Sequence, residues 1–140
     1  MSKPESPRPS EAELAILQVL WERGPSTVRE VFDRVGKARN TGYTTVLKLL
    51  QIMAAKGLVE RDESRKSHVY RAGASRTATQ RRLVLDLIEK AFGGSGRDLV
   101  MQALSTRRAS TKELAEIRSL LDDLEEANDG ADRRDDSDVP

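Results

Sequence analysis

Leu14, Leu17, Leu20 and Trp21 fall on one face of a helical wheel, with Ile16 at its border, and polar residues take most of the opposite face. Ser10 stands ahead of this run and Glu13 lies three residues on, the spacing of a capping box in which hydroxyl and carboxylate each satisfy a backbone N–H. "RGPS" at 23–26 ends the helix. Thr27 and Glu30 repeat the box and open a short second helix with Val28, Val31, Phe32 and Val35 inward. "GKARN" at 36–40 reads as a turn. A third helix follows from about 41 or 42 to Lys56, with Val46, Leu49, Leu50 and Met53 as its inward stripe. Gly57 closes it, since glycine takes the left-handed conformation at no steric cost. "LVERDE" and "SHVYRA" then alternate apolar and polar residues around Ser64, Arg65 and Lys66, the pattern of a β-hairpin.

Three helices and a hairpin within about 65 residues, with the second and third helices joined by a short turn, define a winged helix-turn-helix over residues 10–73. Beyond it the pattern is helical again. Val84, Leu87, Ile88 and Ala91 form a stripe that ends at "FGGSG". Ser95 with Asp98 starts a helix carrying Leu99, Val100, Ala103 and Leu104. Ser110 with Glu113 opens a last one, where Leu114, Ile117, Leu121 and Leu124 repeat at spacings of three and four. Helices this short cannot bury their apolar faces alone, so the three-helix segment 74–126 needs either the N-terminal domain or a second copy of the chain; as a dimerisation domain, that stripe would supply part of its contact. Residues 1–9 are proline-rich and 127–140 polar and acidic, and both are expected to be disordered. The expected class is mostly α with a small β-hairpin.

Charge sharpens this picture. The net charge is only +1, yet residues 1–73 carry 13 Lys and Arg against 9 Asp and Glu, while residues 74–140 carry 11 against 14. Residues 37–71 hold 8 basic and 3 acidic side chains, which points that region toward a polyanion. In a helix-turn-helix the second helix of the pair enters the major groove with its N-terminal residues at the base edges. Thr41, Tyr43, Thr44, Thr45, Leu47 and Lys48 stand at that position. Threonine is short, hydrogen-bonds either base type and offers a methyl to thymine, and Lys48 reaches a guanine or a phosphate. Arg65 and Lys66 at the hairpin tip would meet the DNA backbone or minor groove. The plainer alternatives are an N-cap cluster at 41–45 and an ordinary solvated turn at 65–66. The agreement of both with one docking geometry favours DNA.

Several readings fall away. With no cysteine there is no disulfide framework, thiolate metal site or cysteine nucleophile. No apolar run reaches the length of a membrane span, and "MSKPESPRPSEAE" has no secretory core, so a cytoplasmic protein is expected. "GGSGRD" at 93–98 lacks the Gly-Lys-Ser/Thr of a phosphate loop and reads as a helix–helix turn. His68 is the only histidine and has no partners for catalysis or metal binding. Asp122, Asp123, Glu125 and Glu126 read as a solvated helix face. No cofactor is expected, and no enzyme. A winged helix used for protein docking is the alternative function, but it would show apolar or acidic residues where this chain is basic.

"SEAELAILQVLWERGPSTVREV", "YTTVLKLLQIMAAKGLV" and "HVYR" resemble the penicillinase-repressor (BlaI/MecI-like) family of winged-helix transcriptional regulators, over about residues 10–125. The resemblance implies a homodimeric repressor of a palindromic operator, dimerised through its C-terminal helices. By position the family's base-contacting residues fall on Thr44, Thr45, Leu47 and Lys48, and its wing Gly-Arg on Arg65 and Lys66. It also brings in a membrane sensor peptidase as antirepressor partner, whose system cuts family repressors between Asn and Phe. That bond aligns with Gln102–Ala103, and neither residue matches. The family often has a polar residue at Leu47 and an Arg near Ile52, so the operator sequence is expected to differ. Its copper-responsive branch uses cysteines that this chain lacks.

Overall fold

A computed structural model describes residues 8–64 and 66–137, with side chains as far as residue 132. The elements in order are α1 (Glu11–Arg23), β1 (Ser26–Thr27), α2 (Val28–Val31) continued by a π-helical turn (Phe32–Gly36), α3 (Tyr43–Lys56), β2 (Val59–Asp62), β3 (Val69–Ala72), α4 (Arg76–Ala91), α5 (Gly96–Thr106) and α6 (Thr111–Ser137). The chain divides into two compact units between Leu87 and Ile88.

The first unit is the winged helix-turn-helix. Its core joins Ile16, Leu17 and Leu20 of α1, Val31 of α2, Val46, Leu50 and Met53 of α3, and Tyr70 of β3. The helical members are the inward positions of the sequence pattern, except that Ile16 is fully buried rather than at a border. Leu49 and Phe32 are partly buried and pack against the core from its edge.

Both expected capping boxes form here. Ser10 Oγ accepts the Glu13 N–H at 3.2 Å while the Ser10 N–H donates to Glu13 Oε1 at 2.9 Å. Thr27 Oγ1 accepts the Glu30 N–H, and Glu30 Oε1 accepts the Thr27 N–H, both at 3.2 Å. Glu13 is buried, and Lys56 Nζ at the end of α3 donates to its two oxygens at 3.1 and 3.2 Å. Burial alone pushes the Glu13 carboxyl up. The Ser10 N–H and the Lys56 ammonium outweigh it and hold the group below its ordinary value.

Four details differ from the sequence expectation. First, β2 and β3 are joined by a third strand: β1 pairs antiparallel with β3, giving the order β1-β3-β2 with Ser26 opposite Tyr70 and Val59 opposite Ala72. Two residues are too few to show a strand period. Second, Gly36 does not begin the turn but closes the π-helical one. It is buried, and a Cβ there would sit 2.3 Å from a Phe32 ring carbon and 2.9 Å from the Thr41 carbonyl oxygen.

Third, the boundary expected at 73/74 moves into α4. Trp21 Nε1 donates to the Ala74 carbonyl at 3.0 Å, the Arg76 guanidinium lies 5.8 Å from the Trp21 ring centre, and Arg8 pairs with Asp86 at 2.7 Å. These contacts hold the start of α4 to Trp21 of α1 and its later part to Arg8 just ahead of α1.

Fourth, α6 runs to Ser137, through most of the stretch expected to be disordered from 127. Within 125–137 Gly130 is the weakest helix former, and no proline interrupts before Pro140. High charge alone does not end a helix.

In the second unit Ser95 Oγ accepts the Asp98 N–H and Ser110 Oγ accepts the Glu113 N–H, each at 3.1 Å, so both helix starts lie where the sequence placed them. Neither α5 nor the described part of α6 contains a buried residue.

Candidate nucleic-acid interface

The start of α3 is built so that its polar residues point away from the core. Val46, Leu50 and Met53 are fully buried, which fixes the rotation of the helix and leaves Tyr43, Thr44, Thr45 and Lys48 exposed. Thr41 is half-buried just ahead of the helix. Leu47 is also half-buried and packs against the core, so it reaches outward less than its neighbours.

The N-cap is Gly42, and no side chain accepts a hydrogen bond from the first turn. Thr41 Oγ1 turns back to the Arg39 carbonyl at 3.3 Å. The plain reading of residues 41–45 as a cap cluster therefore does not hold. Backbone N–H groups at the N-terminus of α3 are left with the positive end of the helix dipole, an arrangement suited to phosphate.

Tyr43 is held in place by two residues of α2 and its extension. Its ring meets Phe32 edge to face, 5.7 Å between centroids at 73°. The Arg29 guanidinium lies 5.6 Å from the Tyr43 centroid and 6.0 Å from that of Phe32. Arg29 was not singled out from the sequence. Its signal there is the spacing of three between Arg29 and Phe32, which puts the two on one helical face. The stack sets an exposed cation beside the first turn of α3.

The hairpin of β2 and β3 supplies the wing. Ser64 N–H donates to Asp62 Oδ1 at 2.9 Å, which shapes the start of the connection. Lys66 and His68 are exposed, and Arg65 lies outside the described residues. Across the strands Arg71 pairs with Glu60, its register partner, at 2.6 Å, and Arg61 of β2 pairs with Glu63 just beyond the end of the same strand. The site's electropositive character therefore rests on Lys48, Arg29 and the hairpin tip more than on the strand arginines.

In the second unit the expected dimer stripe is largely solvent-facing. Leu114, Leu121 and Leu124 are exposed by 38%, 50% and 51%, and Ile117 is half-buried. Gln102 and Ala103 lie exposed in the middle of α5. Among the described residues no group of three His, Asp or Glu side chains is placed to hold a metal, and no helix is long and apolar enough to cross a membrane.

The first unit is thus a three-stranded winged helix-turn-helix with exposed polar residues at the start of α3, an architecture that DNA-binding regulators use. The penicillinase repressor family model matches residues 9–123, and the chain belongs to that family. It is 29% identical over 119 residues to the transcriptional regulator BlaI of Mycobacterium tuberculosis, covering 84% of this chain and 86% of that protein. It is 20% identical over 115 residues to a penicillinase repressor of Staphylococcus aureus, covering 82% and 91%. Among solved structures, a transcriptional regulator from Thermotoga maritima aligns over 93% of this chain and 80% of its own, at 18% identity and a TM-score of 0.43. As a member of a family of transcriptional regulators, the protein is not an enzyme.

Proposed function

We propose that the protein is a dimeric, sequence-specific repressor that binds a palindromic operator in the cytoplasm. The observation that carries this is the first turn of α3: uncapped N–H groups, exposed Tyr43, Thr44, Thr45 and Lys48, and a buried apolar stripe that fixes which way they point. Those side chains suit base edges and the helix end suits phosphate. Arg29 and Lys66 flank them from α2 and the wing as backbone contacts. Related proteins named as a transcriptional regulator and a penicillinase repressor support control of transcription, and repression follows from covering a promoter.

Leu114, Ile117, Leu121 and Leu124 supply the contact between two chains, placing two recognition helices in successive major grooves roughly 34–36 Å apart. A membrane sensor peptidase fits as antirepressor only if its cut falls elsewhere than Gln102–Ala103. That bond lacks the Asn-Phe pair and sits within a helix that would have to unwind first. Selection from a random duplex pool, followed by hydroxyl-radical footprinting, tests the reading. Two protected patches one turn apart with inverted sequences are expected. A single patch, or none after selection, would refute a palindromic site.

A further inference from the structure

The π-helical turn from Phe32 to Gly36 ends against the backbone just ahead of α3, where the Thr41 N–H donates to the Gly36 carbonyl at 2.8 Å. A helical Cβ tilts toward the N-terminus, so a side chain at position 36 would point back at residue 32. With glycine there, the Phe32 ring fills that space: two of its carbons lie within 2.6 Å of where a Cβ would stand. The Thr41 carbonyl oxygen bounds the same space, 2.9 Å from that point. The ring is thereby seated on Gly36. From this seat it meets Tyr43 edge to face at 5.7 Å, and the Arg29 guanidinium lies 6.0 Å from its centre.

Core packing does not account for this arrangement. Val28, Val31 and Val35 of the same segment are buried and supply its inward stripe, whereas Phe32 is half-buried and Tyr43 is 42% exposed. What the ring contact does fix is the direction of Tyr43, the first residue of α3. An exposed side chain without such a contact is free to change rotamer, and ordering it on binding costs affinity. We infer that Phe32 is a positioning residue for sequence recognition: seated on Gly36, it holds the Tyr43 ring in one orientation, so that Tyr43 meets its base already ordered. The inference rests on the reading of α3 as the helix that enters the groove. Phe32 acts through Tyr43, without a base contact of its own. Contacts to phosphate carry no sequence information, so the effect falls on discrimination between duplexes.

The test uses the full chain with carbon-13 in its tyrosine rings, and the duplex recovered by the selection above against a scrambled one. In the free protein the Phe32 ring should displace the Tyr43 ring signals, and Phe32→Leu should return them toward free-tyrosine values. Tyr70, fully buried in the core, is the internal control, and its signals should stay dispersed. Phe32→Leu should lower the preference for the selected duplex about fivefold, the weight of one aromatic pair. Tyr43→Ala should lose at least as much. The double variant should lose no more than Tyr43→Ala alone, since Phe32 then has nothing left to position. Losses that multiply in the double variant, or Tyr70 signals that collapse in Phe32→Leu, would make Phe32 a structural residue only. Unmoved Tyr43 signals, or a preference unchanged by Phe32→Leu, would each overturn the positioning role. A wild type that prefers no duplex is a separate result, which removes the DNA reading itself and the role of Phe32 with it.

Discussion

Lys56, the last residue of α3, donates to both carboxylate oxygens of Glu13, the third residue of α1, at 3.1 and 3.2 Å. Forty-three residues of chain separate them, and the pair ties the end of the recognition helix to the capping box that starts the fold. Lys56→Met leaves that buried carboxylate without a counter-ion. Because the lysine end stays partly exposed, about 2 kcal/mol of lost stability is expected rather than the larger figure for a fully buried pair. Glu13→Gln, which can still accept the Ser10 N–H, should cost about 1 kcal/mol. Urea unfolding of the three proteins checks the order.

The same pair gives a pH dependence whose sign is fixed. The folded-state carboxyl is held below its ordinary value, so its stabilisation is present above the unfolded carboxylate range. It is lost as pH falls from that range through the lower folded-state value. The gap in urea midpoint between wild type and Glu13→Gln should be full at pH 7 and shrink as pH falls through the carboxylate range. A gap that widens on acidification would contradict the assigned direction.

Lys48 is exposed one turn into α3. If it reads a base, Lys48→Ala should cost about 1–3 kcal/mol on the operator and little on a scrambled duplex. If it holds phosphate, both duplexes weaken alike. Binding to operators changed at single positions separates the two.

Arg29 sits against Tyr43 and Phe32 at the edge of the proposed groove-entering end. As a backbone contact, Arg29→Ala should weaken operator and scrambled duplex equally and lower the salt slope by about 1. Tyr43→Phe keeps the ring contact with Phe32 and should lose only what the hydroxyl supplies, whereas Tyr43→Ala loses both. The comparison by titration shows how far ring positioning matters.

Leu121 lies half exposed in the α6 stripe. Leu121→Asp should yield monomers in sedimentation and abolish tight operator binding while leaving the winged helix folded. A dimer that survives at micromolar concentration would remove this face from the dimer contact.

Much of the first unit was legible because local signals carry their own partners. Ser10 with Glu13, Thr27 with Glu30, and Gly57 after Lys56 each announce a helix end within four residues, and each cap forms as read. What the sequence hid depends on distance along the chain or on too few residues. The pairing of Ser26 with Tyr70, the Lys56–Glu13 bond and the Arg29–Tyr43 stack join segments that no periodicity links. The threonines at 41–45 looked able to cap α3, yet Gly42 takes the cap and Thr41 turns back to Arg39. In the tail, the high charge from 127 on hides the continuation of α6 to Ser137.

The most direct test of the central claim is fluorescence anisotropy with the DNA upstream of the protein's own gene against a scrambled duplex, over a salt series. Two chains per duplex, a marked preference for the native sequence and steep weakening with salt are expected of a dimeric operator-binding repressor. No binding to either duplex at low salt would contradict it and turn the winged helix into a protein-docking module.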